Sequence, residues 1–157
     1  MQKITSINVS EKKGTAKLPV GKCTIDMNGI VGDAHAGALK RQISLLADEK
    51  IQEFSKKAGR EFLPGEFAEN ITTSGIELQE IPIGGQIKIG DVVLEVTQVG
   101  KKCHGDDCAI FRELGKCVMP GNGIFCRVII GGNIKTGDSI KLIDDKKPFP
   151  ENGKDFL

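Results

Sequence analysis

Glycine most constrains how this chain can fold, because 20 of its 157 residues are glycines and they divide the sequence into short segments. Glycine adopts turn conformations that other residues avoid, so many turns with short strands between them are the natural outcome. Between the glycines, apolar and polar residues alternate as they do along half-buried strands. The sequence therefore predicts a mainly β fold, with strands at Lys3–Val9, 22–27, Gln86–Ile89, 92–96, Ile124–Ile130 and 139–143.

One pattern, I-G-G-x-I-K-x-G-D, occurs twice, at residues 83–91 and at residues 130–138. Gly-Gly and Gly-Asp are common turn sequences, so each copy is interpreted as a turn, a strand and a second turn. Neither copy has the spacing of a phosphate-binding loop or a long helix after it. Two such similar hairpin elements favour a closed or nearly closed β-barrel.

Residues 44–58 have helical rather than strand periodicity. Their apolar residues are spaced by four, three and four, which predicts one buried helical face made of Ala47, Ile51, Phe54 and Ala58. Ser44 is the predicted N-cap, and Gly59 is the predicted left-handed stop. A second, shorter helix is predicted over residues 109–114.

Length and charge narrow the class of protein. The chain carries 22 Lys and Arg against 21 Asp and Glu, which gives no global reason to bind nucleic acid or a membrane surface. No apolar run approaches the ~20 residues that span a bilayer, and the amino terminus lacks the apolar core of a signal peptide. We therefore expect a cytoplasmic protein with one domain, residues 1–143, and a charged tail, residues 144–157.

The cysteines are where we expect chemistry, since four of the five lie between positions 103 and 126. Cytosolic cysteines serve more often as thiols, metal ligands or reactive groups than as structural disulfides. Cys103 follows a predicted strand on a loop and is flanked by Lys101, Lys102 and His104. Cationic neighbours favour the thiolate over the thiol, which predicts a nucleophile that can form a persulfide or bind a metal. An unreactive exposed thiol is the alternative.

The cysteine cluster also allows other interpretations. A zinc site is one, because thiolates and imidazole suit tetrahedral zinc, with candidate ligands Cys103, His104, Cys108 and Cys117. The spacing C-H-x3-C-x8-C, however, lacks the paired C-x2-C knuckles of most structural zinc sites. A redox pair of Cys103 with Cys108 or Cys117 is equally open. Cys23 and Cys126 lie in strand-like runs and are predicted to be small buried hydrophobic residues.

The second histidine, His35, lies in the segment G-I-V-G-D-A-H-A-G at residues 29–37. Glycines on both sides indicate a loop that comes close to a ligand or to another part of the backbone. A histidine that only structures its own turn through Asp33 is an equally open interpretation. Lys40 and Arg41 follow closely and offer positive charge for an anionic ligand.

Taken together, four segments resemble MOSC domains, which are named after the C-terminal part of molybdenum-cofactor sulfurase. Residues 29–37, followed by R-Q-I-S-L-L at 41–46, resemble the opening motif of the family. P-G-E-F-A-E-N-I at 64–71, with Gly75-Ile76 after it, is similar to the family pattern P-G-x-x-x-E-N.

The remaining two segments extend the resemblance over residues 3–143. I-K-I-G-D-V-V-L-E-V-T at 87–97 resembles the strand pair that leads to the signature cysteine of the family, which is Cys103 here. I-K-T-G-D at 134–138 is similar to the closing strand. Each motif alone is weak, but four in the right order are fairly specific.

The resemblance implies a MOSC-type β-barrel with one or two short helices. It also implies that Cys103 carries sulfur or ligates the molybdenum of the molybdenum cofactor (molybdopterin). The residues that the resemblance points to for cofactor binding, including contacts to its phosphate, are His35, Arg41, Asn70, Lys101 and Lys102.

In such a scheme Cys103 accepts sulfane sulfur as a persulfide for metal–sulfur or molybdenum cofactor assembly. The implied partner is a pyridoxal-phosphate cysteine desulfurase, hence an association with pyridoxal phosphate binding, or a molybdenum cofactor biosynthesis protein. Cys108, Cys117 and Met119-Pro120 resemble a subgroup of small stand-alone members. Larger members carry an N-terminal barrel or a desulfurase domain in addition.

Two functions from other classes stay open. One is a non-catalytic binding or regulatory module whose Cys/His cluster holds zinc. The other is a reductase of N-hydroxylated bases, known elsewhere in the superfamily, which requires bound molybdopterin and an electron donor.

Overall fold

The computed structural model describes residues 2–12, 16–37, 41–99 and 123–144, and most of them lie in strands. The strands are β1 Lys3–Val9, β2 Leu18–Pro19, β3 Lys22–Asp26, β4 Gly29–Ile30, β5 Ile43–Ala47, β6 Ile71–Ser74, β7 Gln86–Ile89, β8 Val92–Val99, β9 Ile124–Ile130, β10 Gly132–Lys135 and β11 Ile140–Asp144. The helical elements are α1, Asp48–Ala58, and a 3-10 turn, Leu78–Glu80. The predicted mainly β class is confirmed.

The described strands form two sheets. The larger has eight strands in the order β11-β7-β8-β9-β5-β6-β1-β2, and the smaller has three in the order β10-β3-β4. Neighbouring strands are antiparallel except β5 and β6, which run parallel. Parallel strands need a crossover connection, and α1 lies in the chain between β5 and β6.

The eight-stranded sheet does not close into the predicted barrel by a continuous ladder. Its two ends meet only at an isolated bridge between Lys3 and Ser139. There the N–H of Ile4 donates to the oxygen of Asp138, and the N–H of Gly137 donates to the oxygen of Ile4, both at 2.9 Å. The bridge joins the first residue of β1 to the residue just before β11, while β2 pairs with the last two residues of β1.

The predicted helix 44–58 begins later than expected, at Asp48, because the residues before it form β5. β5 lies between β9 and β6, and all five of its residues are buried. A strand covered on both faces is apolar throughout, so its residues also fit a helical pattern. Gly59 adopts the predicted left-handed conformation, with φ 73°, and its N–H donates to the oxygen of Ser55.

The N-cap prediction for Ser44 is wrong for the same reason. Ser44 lies inside β5, where its N–H and its hydroxyl both donate to Oδ1 of Asn70. The residue that occupies the N-cap position is Ala47, which has no side chain to accept a hydrogen bond. The carboxylates of Asp48 and Glu49, in the first turn, instead stabilise the helix by their interaction with the positive end of its dipole.

Two apolar clusters lie on opposite faces of β5. Leu45 belongs to the larger one, which fills the space enclosed by the sheets. Its neighbour Leu46 points the other way, as successive strand residues do, and packs with α1. The smaller cluster consists of Leu46, Ile51, Phe54, Phe62, Phe67 and Phe125.

Three sequence predictions fall outside the described residues. They are the short helix at 109–114, the segment with Cys103, Cys108 and Cys117, and the tail, of which only residue 144 is described. The boundary between a domain and a tail therefore stays a prediction. In the ranges that the structure does describe, no helix is long and apolar enough to cross a membrane.

Candidate functional site

The glycine-flanked loop that follows β4 is built around the carboxylate of Asp33, which is buried. Its Oδ1 accepts hydrogen bonds from Lys17 Nζ at 2.8 Å and from the N–H of Ser10 at 3.0 Å. Its Oδ2 accepts the N–H of His35 at 2.9 Å. Burial alone raises the pKa of this carboxyl, but the hydrogen bonds from Lys17, His35 and Ser10 outweigh burial and leave the pKa below its usual value.

His35 is held by that carboxylate. Its Nδ1 lies 3.7 Å from Oδ2 of Asp33, and 15% of the side chain is exposed. This geometry matches the interpretation in which Asp33 structures the turn. It leaves an imidazole edge at the surface, so His35 remains a candidate ligand contact.

Lys17 connects this loop to the second motif of the sequence. The ammonium group of Lys17 donates to Asp33 and lies 3.1 Å from the hydroxyl of Ser10. The backbone N–H of Lys17 donates to the backbone oxygen of Gly65 at 2.8 Å. Gly65 has φ 92°, and a Cβ there would overlap the carbonyl oxygen of Lys17. The two motifs therefore meet at Lys17, and glycine is required for the contact.

The Glu-Asn pair of the second motif is fully buried. Oε2 of Glu69 accepts the N–H of Gly65 at 2.9 Å and the hydroxyl of Thr72 at 2.8 Å. Burial raises the pKa of this carboxyl above its usual value, with those hydrogen bonds opposing the shift. Among the described residues no partner reaches the other oxygen, Oε1.

Asn70 joins three segments. Besides accepting from Ser44, it donates from Nδ2 to the oxygen of Asn8 at 3.2 Å. Both ends of its amide are thus engaged inside the protein. Through these contacts Asn70 links the segment before β6 to β1 and β5. Its contact with a cofactor stays a prediction.

Arg41 lies at the surface next to the end of β8. Its Nε donates to Oε1 of Gln98 at 2.9 Å, and its guanidinium carbon lies 5.7 Å above the ring of Phe125. Gln98 and Phe125 are register partners on β8 and β9, so two adjacent strands support the arginine. No carboxylate among the described residues lies within 4.0 Å of the guanidinium. The N–H groups on its two terminal nitrogens are donors of the kind that bind oxyanions.

The described cysteines are packing residues, as predicted. Cys126 is buried on β9, and Cys23 is half-buried on β3. Burial, reinforced by the charge of Asp33, raises the pKa of Cys23 to about 11. Burial and then the charge of Glu95 raise the pKa of Cys126 further. Neither thiol is a thiolate at neutral pH.

The structure describes only part of the predicted site, and there each residue has partners of its own. His35, Arg41 and Asn70 lie within the described residues, whereas Lys101, Lys102, Cys103, His104, Cys108 and Cys117 lie outside them. In the described part of the chain, no group of three or more His, Cys, Asp or Glu side chains could hold a metal ion. β8 ends at Val99, and Cys103 follows Gln98 by five residues in the sequence.

The sequence model of the MOSC domain matches residues 32–141, which is well over half of the chain. The chain belongs to the MOSC domain family. The match contains Asp33, His35, Arg41, the Glu69-Asn70 pair and Cys103, but it begins after Lys17.

Solved structures show the same fold for this MOSC domain. The YuaD protein from Bacillus subtilis has a TM-score of 0.74 at 22% identity, over 93% of this chain and 98% of that one. YiiM from Geobacillus stearothermophilus has a TM-score of 0.75 at 23% identity, over 92% of this chain and 76% of that one.

A curated relative from Gibberella moniliformis (strain M3125 / FGSC 7600), named "Reductase", is 28% identical over 134 residues. The alignment covers 78% of this chain but only 24% of the relative. The MOSC domain described here therefore spans about a quarter of the protein that it matches.

Sequence reasoning missed two residues of this MOSC domain that position the candidate site, Lys17 and Gln98. Lys17 stands between Ala16 and Leu18 in a run without periodicity, and nothing in that pattern distinguishes a buried lysine from an exposed one. Gln98 lies beyond the predicted strand 92–96, and its local sequence does not point to a partner. Its partner Arg41 is 57 residues away, a separation that local patterns do not bridge.

Proposed function

We propose that this MOSC domain binds the molybdenum cofactor and that Arg41 contacts the phosphate of the cofactor. The observation that carries the proposal is the held guanidinium of Arg41. Its Nε donates to Gln98, and its guanidinium carbon lies 5.7 Å above the ring of Phe125. Arginine presents its terminal nitrogens as a planar fork, which matches two oxygens of a phosphate.

The described residues fit such an anion. Arg41 is exposed, and among the residues described it forms no ion pair with which a phosphate would compete. His35 offers a partly exposed imidazole on the neighbouring motif. Lys101 and Lys102 are further proposed phosphate contacts, on the basis of sequence. The bound cofactor would supply a molybdenum centre for sulfur or oxygen chemistry.

A second part of the proposal concerns sulfur. The Cys103 thiolate attacks the outer sulfur of a persulfide on a cysteine desulfurase, so a new S–S bond forms on Cys103. The desulfurase thiolate leaves as the old S–S bond breaks, with no net oxidation or reduction. Cys23 and Cys126 are unsuited to this attack, because burial raises the pKa of both thiols. The physiological partner would be that desulfurase or a molybdenum cofactor biosynthesis protein.

Cofactor binding is tested by purification from cells grown with molybdate, followed by assays for molybdenum, zinc and oxidised pterin. The wild-type protein is expected to carry molybdenum and pterin in equal amounts. Arg41→Gln is expected to retain roughly tenfold less pterin than the wild-type protein, since a bidentate charged contact is removed. Lys57→Gln, which removes one exposed positive charge on α1, is the matched control and should keep it.

One result would contradict the role of Arg41, and another would contradict cofactor binding itself. Pterin retention that is equal in Arg41→Gln and Lys57→Gln would exclude Arg41 as the phosphate contact. Stoichiometric zinc without pterin would favour the alternative, a non-catalytic metal-binding or regulatory module with Cys103, His104, Cys108 and Cys117 as ligands.

Sulfur transfer is tested by intact-mass spectrometry after incubation with a cysteine desulfurase and cysteine. An adduct with the mass of one sulfur atom is expected on the wild-type protein. It should be lost in Cys103→Ala and kept in Cys108→Ala and Cys117→Ala. No adduct on any cysteine would exclude the carrier.

A second candidate function is a reductase, which the similarity to the Gibberella protein named "Reductase" favours. The chain would then be a domain that reduces N-hydroxylated bases with bound cofactor and an external electron donor. Protein loaded with cofactor, supplied with such a donor and a hydroxylated base, should form the reduced base. Absence of product, with pterin bound, would leave cofactor binding or sulfur transfer as the function.

A further inference from the structure

The outer face of the β3–β10 strand pair carries four polar residues beside an open groove. Lys22 lies opposite Lys135, and Thr24 lies opposite Asn133, in one antiparallel register. Register partners point to the same side of a sheet, so these four side chains share a face. The groove that they line has a volume of about 620 Å³, in the range of small-ligand sites.

The polar groups on this face are mainly hydrogen-bond donors. The hydroxyl of Thr24 donates to Oδ1 of Asn133 at 2.7 Å, so the acceptor of that amide is used and its NH2 group is left to the groove. Lys22 and Lys135 add two ammonium groups, each with three donors. Such a set fits an oxyanion with several negative charges.

The one carboxylate in the groove lining, that of Asp138, is largely occupied. Its Oδ2 accepts the N–H of Lys135 at 2.9 Å, and its Oδ1 lies 4.0 Å from Nζ of the same lysine. For Lys22, no described carboxylate lies within 4.0 Å. The positive charge of Lys22 is therefore available to a ligand.

Two lysines directly opposite one another destabilise a strand pair. A lysine on an edge strand has a general use, because it prevents pairing with another sheet. This accounts for Lys135, since β10 is at the edge of the three-stranded sheet. Lys88 and Lys141 form a like pair on the inner strand β7 and the edge strand β11, so it is the groove beside Lys22, and not the pairing alone, that distinguishes the first pair.

We propose that this face of the β3–β10 strand pair is a second anion site, which binds a small ligand with a di- or triphosphate group through Lys22, Lys135 and Asn133. It is independent of the cofactor phosphate assigned to Arg41. The groove commits the site to a small ligand rather than to an acidic protein surface.

A matched control exists in the other copy of the repeated I-K-x-G-D pattern. Lys88 occupies the position of Lys135 in that copy and lies directly opposite Lys141, on β7 and β11. This second lysine pair is not part of the groove lining. Replacing either pair removes the same charge from the chain.

The test is a titration of 15N-labelled protein with inorganic triphosphate near physiological salt, followed by two-dimensional NMR. Saturable shifts are expected at residues 22–24 and 133–135. Lys22→Gln/Lys135→Gln should weaken binding roughly tenfold or more, since two charged contacts are lost. Lys88→Gln/Lys141→Gln should weaken it less than about twofold, because distant exposed charges are screened.

Two further variants separate the outcomes. Asn133→Asp keeps the acceptor for Thr24 but replaces the amide donors by a charged oxygen, so it should also weaken binding. Arg41→Gln should leave the saturable shifts at residues 22–24 and 133–135 unchanged, which separates this site from the proposed cofactor site. Equal losses in the two lysine pairs, shifts that do not saturate, or tighter binding of an oligoglutamate peptide of equal charge would overturn the proposal.

Discussion

At the scale of single residues, the candidate site depends on the buried ion pair of Lys17 and Asp33. The two side chains are 1% and 0% exposed, so solvent screens the pair little. Asp33 could be predicted to structure the turn of His35 from their spacing. The role of Lys17 could not be predicted, because tertiary packing brings it to Asp33.

Lys17→Met is expected to lower the free energy of unfolding by about 3–5 kcal/mol, because the carboxylate of Asp33 is left buried without its cation. Urea unfolding measures this. Lys17→Met/Asp33→Asn removes both charges and should recover much of the loss. Lys57→Met, at an exposed pair with Glu53, should cost less than about 1 kcal/mol. Equal effects of Lys17→Met and Lys57→Met would contradict the assignment.

Glu69 gives a second prediction at this scale, one that depends on pH. Its folded pKa is raised, so its contribution to stability is fully present below the unfolded pKa and declines as pH rises toward the folded pKa. Glu69→Gln should abolish that decline and stay within about 1 kcal/mol of wild type at pH 7.

The control for Glu69 is truncation. Glu69→Ala removes the acceptor of the Gly65 N–H and of the Thr72 hydroxyl, and should cost about 1–3 kcal/mol at every pH. Urea unfolding from pH 4 to pH 8 compares the two variants. If Glu69→Gln were as destabilising as Glu69→Ala at pH 7, the carboxyl would be needed in its charged form.

At the scale of elements, the strands of the hairpins were predictable because alternation and glycine turns agree there. The secondary structure of residues 43–58 was harder to predict, since a fully buried strand and an amphipathic helix follow each other there without a turn. Ile43–Ala47 satisfies both patterns, and only its position between β9 and β6 decides for a strand. The two-residue strands β2 and β4 are too short to leave a pattern.

Two glycines with positive φ give a matched comparison between elements. Gly59 ends α1, and a Cβ there would meet nothing within 4 Å, so Gly59→Ala should cost about 1–2 kcal/mol of backbone strain. Gly65→Ala adds an overlap with the backbone of Lys17 and should cost at least about 3 kcal/mol. Thermal or urea unfolding measures both. Similar losses would mean that the two motifs do not meet as described.

At the scale of the whole molecule, the mainly β class followed from composition and turn spacing, but the closure of the sheet did not. Closure joins the first and last described strands of the chain, and local sequence patterns do not encode a contact over that separation. The segment with Cys103 is outside the described residues, so the sulfur site rests on sequence alone.

The bridged ends of the sheet predict slow hydrogen exchange at specific amides. The N–H groups of Ile4 and Gly137 are paired across the bridge, so they should exchange slowly, at rates comparable to the central strands. Exchange measured by NMR in deuterated buffer tests this. Exchange as fast as in an unstructured peptide would mean that the two ends of the sheet separate readily.

The same bridge has a consequence for truncation of the domain. The N–H of Ile140 donates to the oxygen of Gln2 at 3.3 Å, so the chain enters the described body beside the start of its last strand. Deleting either of these two segments would therefore leave backbone groups of the other without their partners.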